Sequence, residues 1–258
     1  MDKLRLQLTF KCNNLKVPFN YQHMIQGLIY SAFDKEDKGD FFHNQGYRFE
    51  KKVFKMFVFS NLFGKYKIND RFMVFEDSIT FYVSSYSEDF LKEIYDFYME
   101  NEKVILNNQF IQLVSIKFMN LEYFAGEKQI VIHTLSPIVT YTTTDRYVDY
   151  FKPSDTEFNT LCMNNLLDKC HALDIKQDDI SFNVEKVLYE KKRLVKFKNT
   201  FYVGYLSEMT VKTNFETLSL LYDTGISAKG PAGFGMIEVK KSEESNLSVQ
   251  KRKLKKKR

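Results

Sequence analysis

Apolar and polar residues follow two different spacings along the N-terminal part of the chain. Strict alternation over residues 4–10 predicts a strand. Apolar residues three and four positions apart predict a helix that starts near Pro18 and Asn20, and another over 87–101 with Ser87 as its N-cap. Further strand-like runs occupy 41–49, 54–64, 77–83 and 109–119. The resulting order of strand, helix, two or more strands, helix and strand (βαββαβ) is that of a ferredoxin-like unit.

The same order of elements returns in the second half of the chain. A strand is predicted over 129–142, a helix over 155–173, a strand and a hairpin over 180–211, a second helix over 214–224 and a last strand over 236–241. The two halves share this order without an obvious sequence repeat. We therefore predict an α+β protein of two tandem ferredoxin-like domains, at 1–122 and 128–240, followed by a basic flexible tail at 241–258.

Positive charge is concentrated at the C-terminus. Hydrophobic residues make up 44% and aromatic residues 16% of the chain, a composition that supports a packed core and excludes a disordered protein. The net charge of +5 is smaller than the seven positive charges carried by the last eight residues, KRKLKKKR, so the rest of the chain is close to neutral. We interpret the tail as an electrostatic arm, and we expect any nucleic-acid surface on the folded part to be a local patch.

The three cysteines, Cys12, Cys162 and Cys170, match neither a disulfide framework nor a paired-cysteine metal site. We expect them to be small core residues in a protein of the reducing cytoplasm. No apolar run approaches the roughly 20 residues of a membrane-spanning helix, and the N-terminus lacks the apolar segment of a signal peptide. No acidic cluster accompanies the histidines at ligand-like spacing, so we predict no metal site.

A glycine-rich loop precedes the last predicted strand. The segment GISAKGPAGFG, at 225–235, holds four of the ten glycines of the chain together with a proline. Glycine permits positive φ and close approach of the backbone, and the N–H groups of such a loop can bind a phosphate. Gly225, Ser227, Lys229, Gly233 and Gly235 are therefore candidate ligand-binding residues. The alternative is a glycine hairpin that only connects the last helix to the last strand.

Several motifs together resemble one known family. Gly225, Ile226 and Ser227, five further residues, then Gly233, Phe234 and Gly235 follow a G-h-G-x5-G-h-G pattern in which h is apolar, with Ser227 in place of one glycine. YQHMIQGLIYSAF, FFHNQGY, FKMFVFSNLFG and LSPIVT occur before it in the same order as in that family. On these motifs, the chain resembles the CRISPR repeat-processing endoribonucleases of the repeat-associated (RAMP) superfamily.

This resemblance implies an enzyme that cleaves precursor CRISPR RNA within its repeats, without a metal or other cofactor. The ribose 2′-OH attacks the adjacent phosphate and leaves a 2′,3′-cyclic phosphate and a 5′-OH. The implied partners are CRISPR repeat RNA and other CRISPR effector-complex subunits, and the chain is either a monomer or a homodimer. Two alternatives stay open. One is a RAMP protein that binds repeat RNA without cutting it, and the other is a tandem ferredoxin-like regulatory module unrelated to RNA.

The resemblance also implies the catalytic residues. His43, within FFHNQGY, matches the catalytic histidine of the family, and histidine exchanges protons near neutral pH. Tyr30 is predicted to lie on the side of the first helix away from its buried face, where it can position the 2′-OH or a phosphate. Lys51 or Lys52, of which we favour Lys52, supplies a cation for the phosphorane. His23, seven residues before Tyr30, is a reserve acid or base.

A basic segment of the second unit is a candidate for RNA binding. In EKKRLVKFKNTF, Lys191, Lys192 and Arg193 are predicted to lie at a turn, and the strand after it places Lys196 and Lys198 on one side. Such a hairpin can follow the phosphates of an RNA stem, which proteins recognise by shape and backbone. The alternative interpretation is an ordinary solvated face.

Overall fold

The structure, a computed structural model, describes residues 4–33 and 45–240. His43, most of the FFHNQGY motif and the basic tail lie outside the described residues. The helices within the described part are α1 (Gln22–Tyr30), α2 (Glu88–Glu100), α3 (Thr156–Ala172) and α4 (Phe215–Thr224). The strands are β1 (Leu4–Lys11), β2 (Leu15–Pro18), β3 (Tyr47–Phe49), β4 (Lys52–Phe54), β5 (Phe57–Phe59), β6 (Tyr66–Asn69), β7 (Phe72–Phe75), β8 (Ser78–Ser85), β9 (Lys103–Leu106), β10 (Gln109–Asn120), β11 (Lys128–Thr134), β12 (Thr140–Thr143), β13 (Val148–Phe151), β14 (Phe182–Phe197), β15 (Thr200–Thr213) and β16 (Ile237–Val239).

The first unit is built on a five-stranded antiparallel sheet in the order β5-β8-β1-β10-β9. Leu6 and Leu8 of the central strand β1 are buried in a core that they share with α1 and α2. The Tyr98 hydroxyl of α2 donates a hydrogen bond to the Leu28 carbonyl of α1 at 2.9 Å, which ties the two helices together. Ser87 caps α2 by accepting from the Phe90 N–H, so the predicted N-cap is confirmed.

The second unit has its own four-stranded antiparallel sheet, in the order β14-β15-β11-β16. Phe158 and Leu166 of α3 and Leu218 of α4 are buried in a core separate from that of the first unit. Cys12, Cys162 and Cys170 are all free and buried, which confirms them as core residues. No helix among the described residues is long and apolar enough to span a membrane.

Three small sheets add to these units: β2-β7-β6, β3-β4 and β12-β13. The sequence pattern does not predict the β6–β7 hairpin, because all four side chains of β6 are exposed and no apolar alternation marks it. The strand predicted over 129–142 is interrupted between β11 and β12. Pro137 lies in this break, where it has no N–H for a ladder and its carbonyl accepts instead from the Gly235 N–H at 2.9 Å.

The structure corrects the position of the basic segment. Lys191, Lys192 and Arg193 lie within the 16-residue strand β14 and pair with β15, so the prediction that they form a turn is wrong. Lys191 and Lys192 are both exposed to solvent. Charged side chains that face water are tolerated within a strand, so the strand continues through them. The chain reverses after Phe197, where Lys198 adopts a left-handed φ of 52°.

A buried arginine joins the two units. The guanidinium of Arg5, from β1, donates to Ser84 Oγ at 2.7 Å, to Glu238 Oε2 at 2.9 Å and to the Tyr222 carbonyl at 3.1 Å. It also lies over the Tyr222 ring, 3.5 Å from the centroid. Ser84 belongs to the first unit and the other two partners to the second. Because all three guanidinium nitrogens donate to a partner, the charge is tolerated at 0% exposure.

We expect Arg5→Ala to lower the free energy of unfolding by about 3–5 kcal/mol, because the substitution leaves the Glu238 carboxylate without its buried partner. Lys212→Ala is a matched control, since it removes the exposed ion pair with Glu127 (3.0 Å) and should cost about 1 kcal/mol or less. Urea denaturation followed by circular dichroism measures both values. Equal losses in the two variants would show that Arg5 does not hold the units together.

Candidate functional site

A cleft of about 690 Å³ lies between the two units. On one side it is lined by Gln26 of α1 and by residues 52–57 of β4 and β5. On the other side it is lined by α3, by the start of β12 and by the glycine-rich loop. The Gln26 amide donates to the Pro231 carbonyl of that loop at 2.6 Å and so fixes the loop to α1. Because both units line the cleft, its shape depends on their relative position.

Lysines dominate the charge of this cleft. Its described lining includes Lys52, Lys55, Lys169 and Lys229, with Asp168 as the one acidic residue among them. Positive charge in a partly enclosed space attracts an anion more strongly than the same charge on an open surface does. The cleft is therefore suited to a ligand that carries phosphate groups.

Lys52 reaches across the cleft to the second unit. Its ammonium forms an ion pair with the Asp168 carboxylate of α3, and 57% of the lysine side chain stays exposed. An exposed ion pair contributes about 0–1 kcal/mol, so an entering phosphate can displace Asp168 at little cost. Lys51 is exposed in the turn between β3 and β4 and is not part of the cleft lining. Of the two predicted cations, the structure places Lys52 at the cleft.

Lys169 is a buried cation that holds the start of the glycine-rich loop. Its Nζ donates to the Gly225 carbonyl at 2.8 Å and, more weakly, to the carbonyls of Thr224 and Ser227 at 3.4 and 3.3 Å. These carbonyls end α4, where a positive charge is also favoured by the helix dipole. Burial lowers the pKa of Lys169 to about 8. The ammonium is therefore bound to the backbone of the loop and does not face solvent.

The glycines of the loop allow close packing within the protein. Gly233 and Gly235 have φ of 81° and 80°. A Cβ on Gly233 would lie 2.6 Å from the Phe59 ring of the first unit, and one on Gly235 would lie 2.2 Å from the Ile226 carbonyl oxygen. Neither site has room for a side chain. Gly233 therefore lets the loop pack against β5, and Gly235 lets the loop backbone fold closely on itself.

The predicted binding residues of the loop differ in exposure. Gly225, Ser227, Gly233 and Gly235 are buried, whereas Lys229 is exposed. Ser227 adopts a left-handed φ of 64°, and its hydroxyl accepts from Thr140 Oγ1 at 3.0 Å. Serine therefore occupies the backbone conformation that glycine would occupy at this position of the motif. Lys229 is the residue of this set that can meet a ligand at the surface.

Tyr30 is held by aromatic neighbours. Its ring packs edge-on against Phe57, with 5.7 Å between centroids, and also against Phe33. The prediction that Tyr30 lies away from the buried face is wrong, because Phe57 and Phe33 cover that side of α1. Burial raises the pKa of Tyr30 to about 12. At neutral pH the hydroxyl is therefore protonated, which suits hydrogen bonding to a substrate and not proton removal.

The histidine predictions have different outcomes. His43 lies outside the described residues, so its role stays a prediction. His23 lies at the start of α1, where its Nδ1 is 2.8 Å from the Asn20 carbonyl oxygen, a local contact of the helix end. Within residues 4–33 and 45–240, no three His, Cys, Asp or Glu side chains come together in a group that could hold a metal ion.

The chain is similar in sequence to known proteins. Residues 119–239 match the family model described as CRISPR associated protein Cas6, C-terminal. The chain is 25% identical over 245 residues to a CRISPR-associated endoribonuclease Cas6 of Methanocaldococcus jannaschii, and the match covers 92% of both chains. The C-terminal part of the chain is therefore similar in sequence to the C-terminal part of Cas6 proteins. The resemblance read from the sequence motifs is thereby confirmed.

Solved structures of Cas6 and RAMP proteins share the fold. A CRISPR associated protein Cas6 superposes with a TM-score of 0.77 at 21% identity, covering 93% of this chain and 100% of the other. A RAMP protein described as binding different RNA substrates superposes with a TM-score of 0.74 at 19% identity, covering 92% and 100%. The mixed α/β architecture with many antiparallel strands is therefore that of Cas6 proteins.

Two charged residues of this cleft lie outside the sequence motifs. Asp168 and Lys169 lie on α3, and neither matches a motif. One signal for Lys169 does exist: it lies three and seven residues after Leu166 and Cys162, on the buried face of the helix. A lysine among apolar positions at helical spacing indicates a buried cation that needs partners.

Lys169 predicts a specific dependence of stability on pH. Between its folded pKa of about 8 and the ordinary value of 10.5, the unfolded chain still holds the proton that the folded chain has lost. The free energy of unfolding contributed by Lys169 therefore rises with pH through this window. We expect the difference between wild type and Lys169→Met to shift in favour of wild type by about 2–3 kcal/mol from pH 7 to pH 10, measured by urea denaturation.

The neighbouring thiol provides the control for this measurement. Burial raises the pKa of Cys162 to about 12, so this group titrates with the opposite effect on stability. Repeating the comparison in a Cys162→Ala background removes that contribution. A difference that stays constant or decreases with pH would contradict a buried, charged Lys169.

Proposed function

We propose that this chain is a metal-independent endoribonuclease that cleaves precursor CRISPR RNA within its repeats to release guide RNAs. The observation that carries the proposal is the lysine-rich cleft between the units of a chain similar to Cas6 proteins, with Lys52 exposed across it. The curated relative from Methanocaldococcus jannaschii is itself named an endoribonuclease. The cleft offers positive charge where a phosphate backbone would enter.

The reaction is an attack of the ribose 2′-oxygen on the adjacent phosphorus. The 2′-OH loses its proton, the bond from phosphorus to the 5′-oxygen breaks, and the leaving oxygen takes up a proton. The products are a 2′,3′-cyclic phosphate and a 5′-OH. A base, an acid and a cation for the pentavalent phosphorane are therefore needed.

Three residues are assigned to these roles. His43 transfers protons, since its side chain exchanges them near neutral pH. Lys52, now paired with Asp168, neutralises the phosphorane once phosphate displaces that carboxylate. Tyr30, with a pKa of about 12, donates a hydrogen bond that positions the 2′-oxygen or a phosphate oxygen.

Both units are proposed to be ferredoxin-like. Each unit has four strands in the βαββαβ order. In its sheet, the first of these strands lies between the third and the fourth, and the second strand pairs with the other edge of the third. The orders β5-β8-β1-β10 and β14-β15-β11-β16 follow this rule in the same way. Two units with this shared topology, at about 1–122 and 128–240, leave the cleft between them as the RNA site.

The basic segment of β14 is proposed as the second RNA contact. Lys191, Lys192 and Lys196 are exposed along the strand, and Lys198 is exposed at the turn that follows it. Arg193 is partly buried opposite Gly204 of β15. Side chains alternate along a strand, so Lys192 and Lys196 share one face of β14 and Lys191 lies on the other, where each can bind a phosphate of an RNA backbone.

Cleavage of a labelled CRISPR-repeat RNA in EDTA tests the catalytic assignment. We expect His43→Ala to lower the single-turnover rate by about 10²–10⁴-fold, as removal of a general acid or base does. Lys52→Ala should lower it by about 10²-fold through loss of transition-state charge stabilisation. Lys51→Ala, one residue away and outside the cleft, is the matched control and should leave the rate close to wild type.

A repeat RNA with a single 2′-deoxy at the cut site completes this test. It lacks the nucleophile, so wild-type protein should bind it without cleaving it. Tight binding of unmodified repeat RNA with no cleavage by wild type would instead identify a RAMP protein that only binds the repeat. Cleavage of the 2′-deoxy RNA would contradict attack by the 2′-oxygen.

Charge reversal in β14 tests the second RNA contact. We expect Lys191→Glu, Lys192→Glu and Arg193→Glu combined to weaken repeat-RNA binding and to flatten its dependence on salt, by roughly 0.7–0.9 in the logarithmic slope for each phosphate that the variant no longer neutralises. Fluorescence anisotropy over a salt series measures both. Lys65→Glu with Lys67→Glu, on the opposite unit, serves as the control. An unchanged affinity and slope in the β14 variant would exclude this strand from binding.

A further inference from the structure

A group of aromatic rings lies beside the cleft and has no part in the proposed reaction. Tyr141 of β12, Tyr150 of β13, Tyr202 of β15 and Lys229 of the glycine-rich loop form what we name the tyrosine platform. The three rings are half-buried and Lys229 is exposed. The rings rest on a small buried cluster of Val139, Val195, Ala232 and Phe234.

The geometry of the tyrosine platform is well defined. The Tyr141 and Tyr150 rings pair across β12 and β13 with 5.9 Å between centroids. Tyr202 packs against Phe234 at 5.5 Å. Lys229 Nζ lies 5.9 Å from the Tyr141 ring and 5.7 Å from the Tyr202 ring. An ammonium is thus held next to two aromatic rings.

Backbone and side-chain contacts hold the tyrosine platform in place. An isolated bridge joins Val139, just before β12, to Ala228, next to Lys229. The Tyr150 hydroxyl donates to the Phe201 carbonyl at 3.3 Å. Because these contacts fix the rings before any ligand arrives, little conformational entropy is lost when one binds.

A nucleotide matches this arrangement. It presents a flat base beside a charged phosphate, as the platform presents rings beside an ammonium. The distances from Lys229 to the rings are close to the limit of about 6 Å for a cation–π contact, so the lysine can turn to a phosphate at small cost. We propose that the tyrosine platform binds an unpaired nucleotide of an RNA strand, stacking its base on Tyr141 or Tyr202 and binding its phosphate through Lys229.

The platform is continuous with the cleft. Tyr141 and Lys229 line the cleft together with Lys52 and Lys169, so a strand held on the platform can lead its next phosphates into the positive cleft. Paired bases offer only their edges to a protein, whereas unpaired bases offer a face for stacking. The bound segment is therefore single-stranded. This inference rests on the proposed RNA-processing function, and it adds to that function a binding site for an unpaired nucleotide.

Binding of a fluorescein-labelled oligouridylate of about ten nucleotides tests the inference, with a blunt duplex of the same length for comparison. We expect Tyr141→Ala and Tyr202→Ala each to weaken single-strand binding by about 5- to 150-fold, the range that follows from loss of one stacked base. Tyr141→Phe and Tyr202→Phe keep the rings and should retain the affinity. Binding of the duplex should not change in any of these variants.

The controls separate stacking from misfolding. Phe110→Ala removes an aromatic ring that is 76% exposed on β10, far from the platform in sequence, and should have no effect. Tyr141→Leu keeps an apolar side chain and should still lose the affinity. In wild type, 2-aminopurine placed within the oligonucleotide should lose fluorescence on binding, because stacking on tyrosine is expected to quench it. Unquenched fluorescence in the bound complex would overturn the inference.

These outcomes distinguish the inference from the proposed function, because the binding assay needs no cleavage. Cleavage of repeat RNA by wild type, together with unchanged single-strand binding in both alanine variants, would overturn the platform alone. Single-strand binding that depends on the rings, without cleavage of repeat RNA, would support the platform and contradict the nuclease proposal alone.

Discussion

The placement of the two units depends on the buried guanidinium of Arg5. Each unit has a hydrophobic core of its own, and a small buried cluster of Val58, Leu135 and Met236 packs across the boundary between them. Arg5 adds directional contacts across this boundary by binding a hydroxyl of β8, a carboxylate of β16 and the carbonyl of Tyr222. A buried charge tolerates little displacement, because every hydrogen bond that breaks leaves it unsolvated. The directional contacts of Arg5 therefore define the width of the cleft more strictly than a flexible apolar contact would.

The glycine-rich loop follows from this placement. With the second unit seated against β5, the loop has to pass so close to the Phe59 ring that only glycine fits at Gly233. Lys169 then binds the carbonyls at the start of the loop. The loop is therefore fixed from both sides, by the first unit and by α3. This rigidity leaves Lys229 at a defined position beside the cleft, where a ligand can reach it.

The sequence predicts local features well and distant ones poorly. The helices α2, α3 and α4 follow from apolar spacing and, for α2, from the Ser87 cap, all of which depend on neighbouring residues. The role of Arg5 could not be predicted, since alternation in β1 assigns it to the solvent side and its partner Glu238 is 233 residues away. The positive run in β14 wrongly predicts a turn, because charge does not by itself distinguish a turn from an exposed strand. His43 is identified through a motif alone and stays a prediction.

Burial decides what each lysine of the cleft can do. Desolvation disfavours the charged form, so Lys169 retains its ammonium only through three carbonyl contacts and is committed to holding the loop. Lys52 is solvated, and its exposed ion pair with Asp168 can be exchanged for a phosphate. Lys229 makes weak contacts with aromatic rings, and a phosphate can replace these contacts still more readily. The same side chain thus serves structure, catalysis or ligand capture according to its access to water, which a count of positive charges does not reveal.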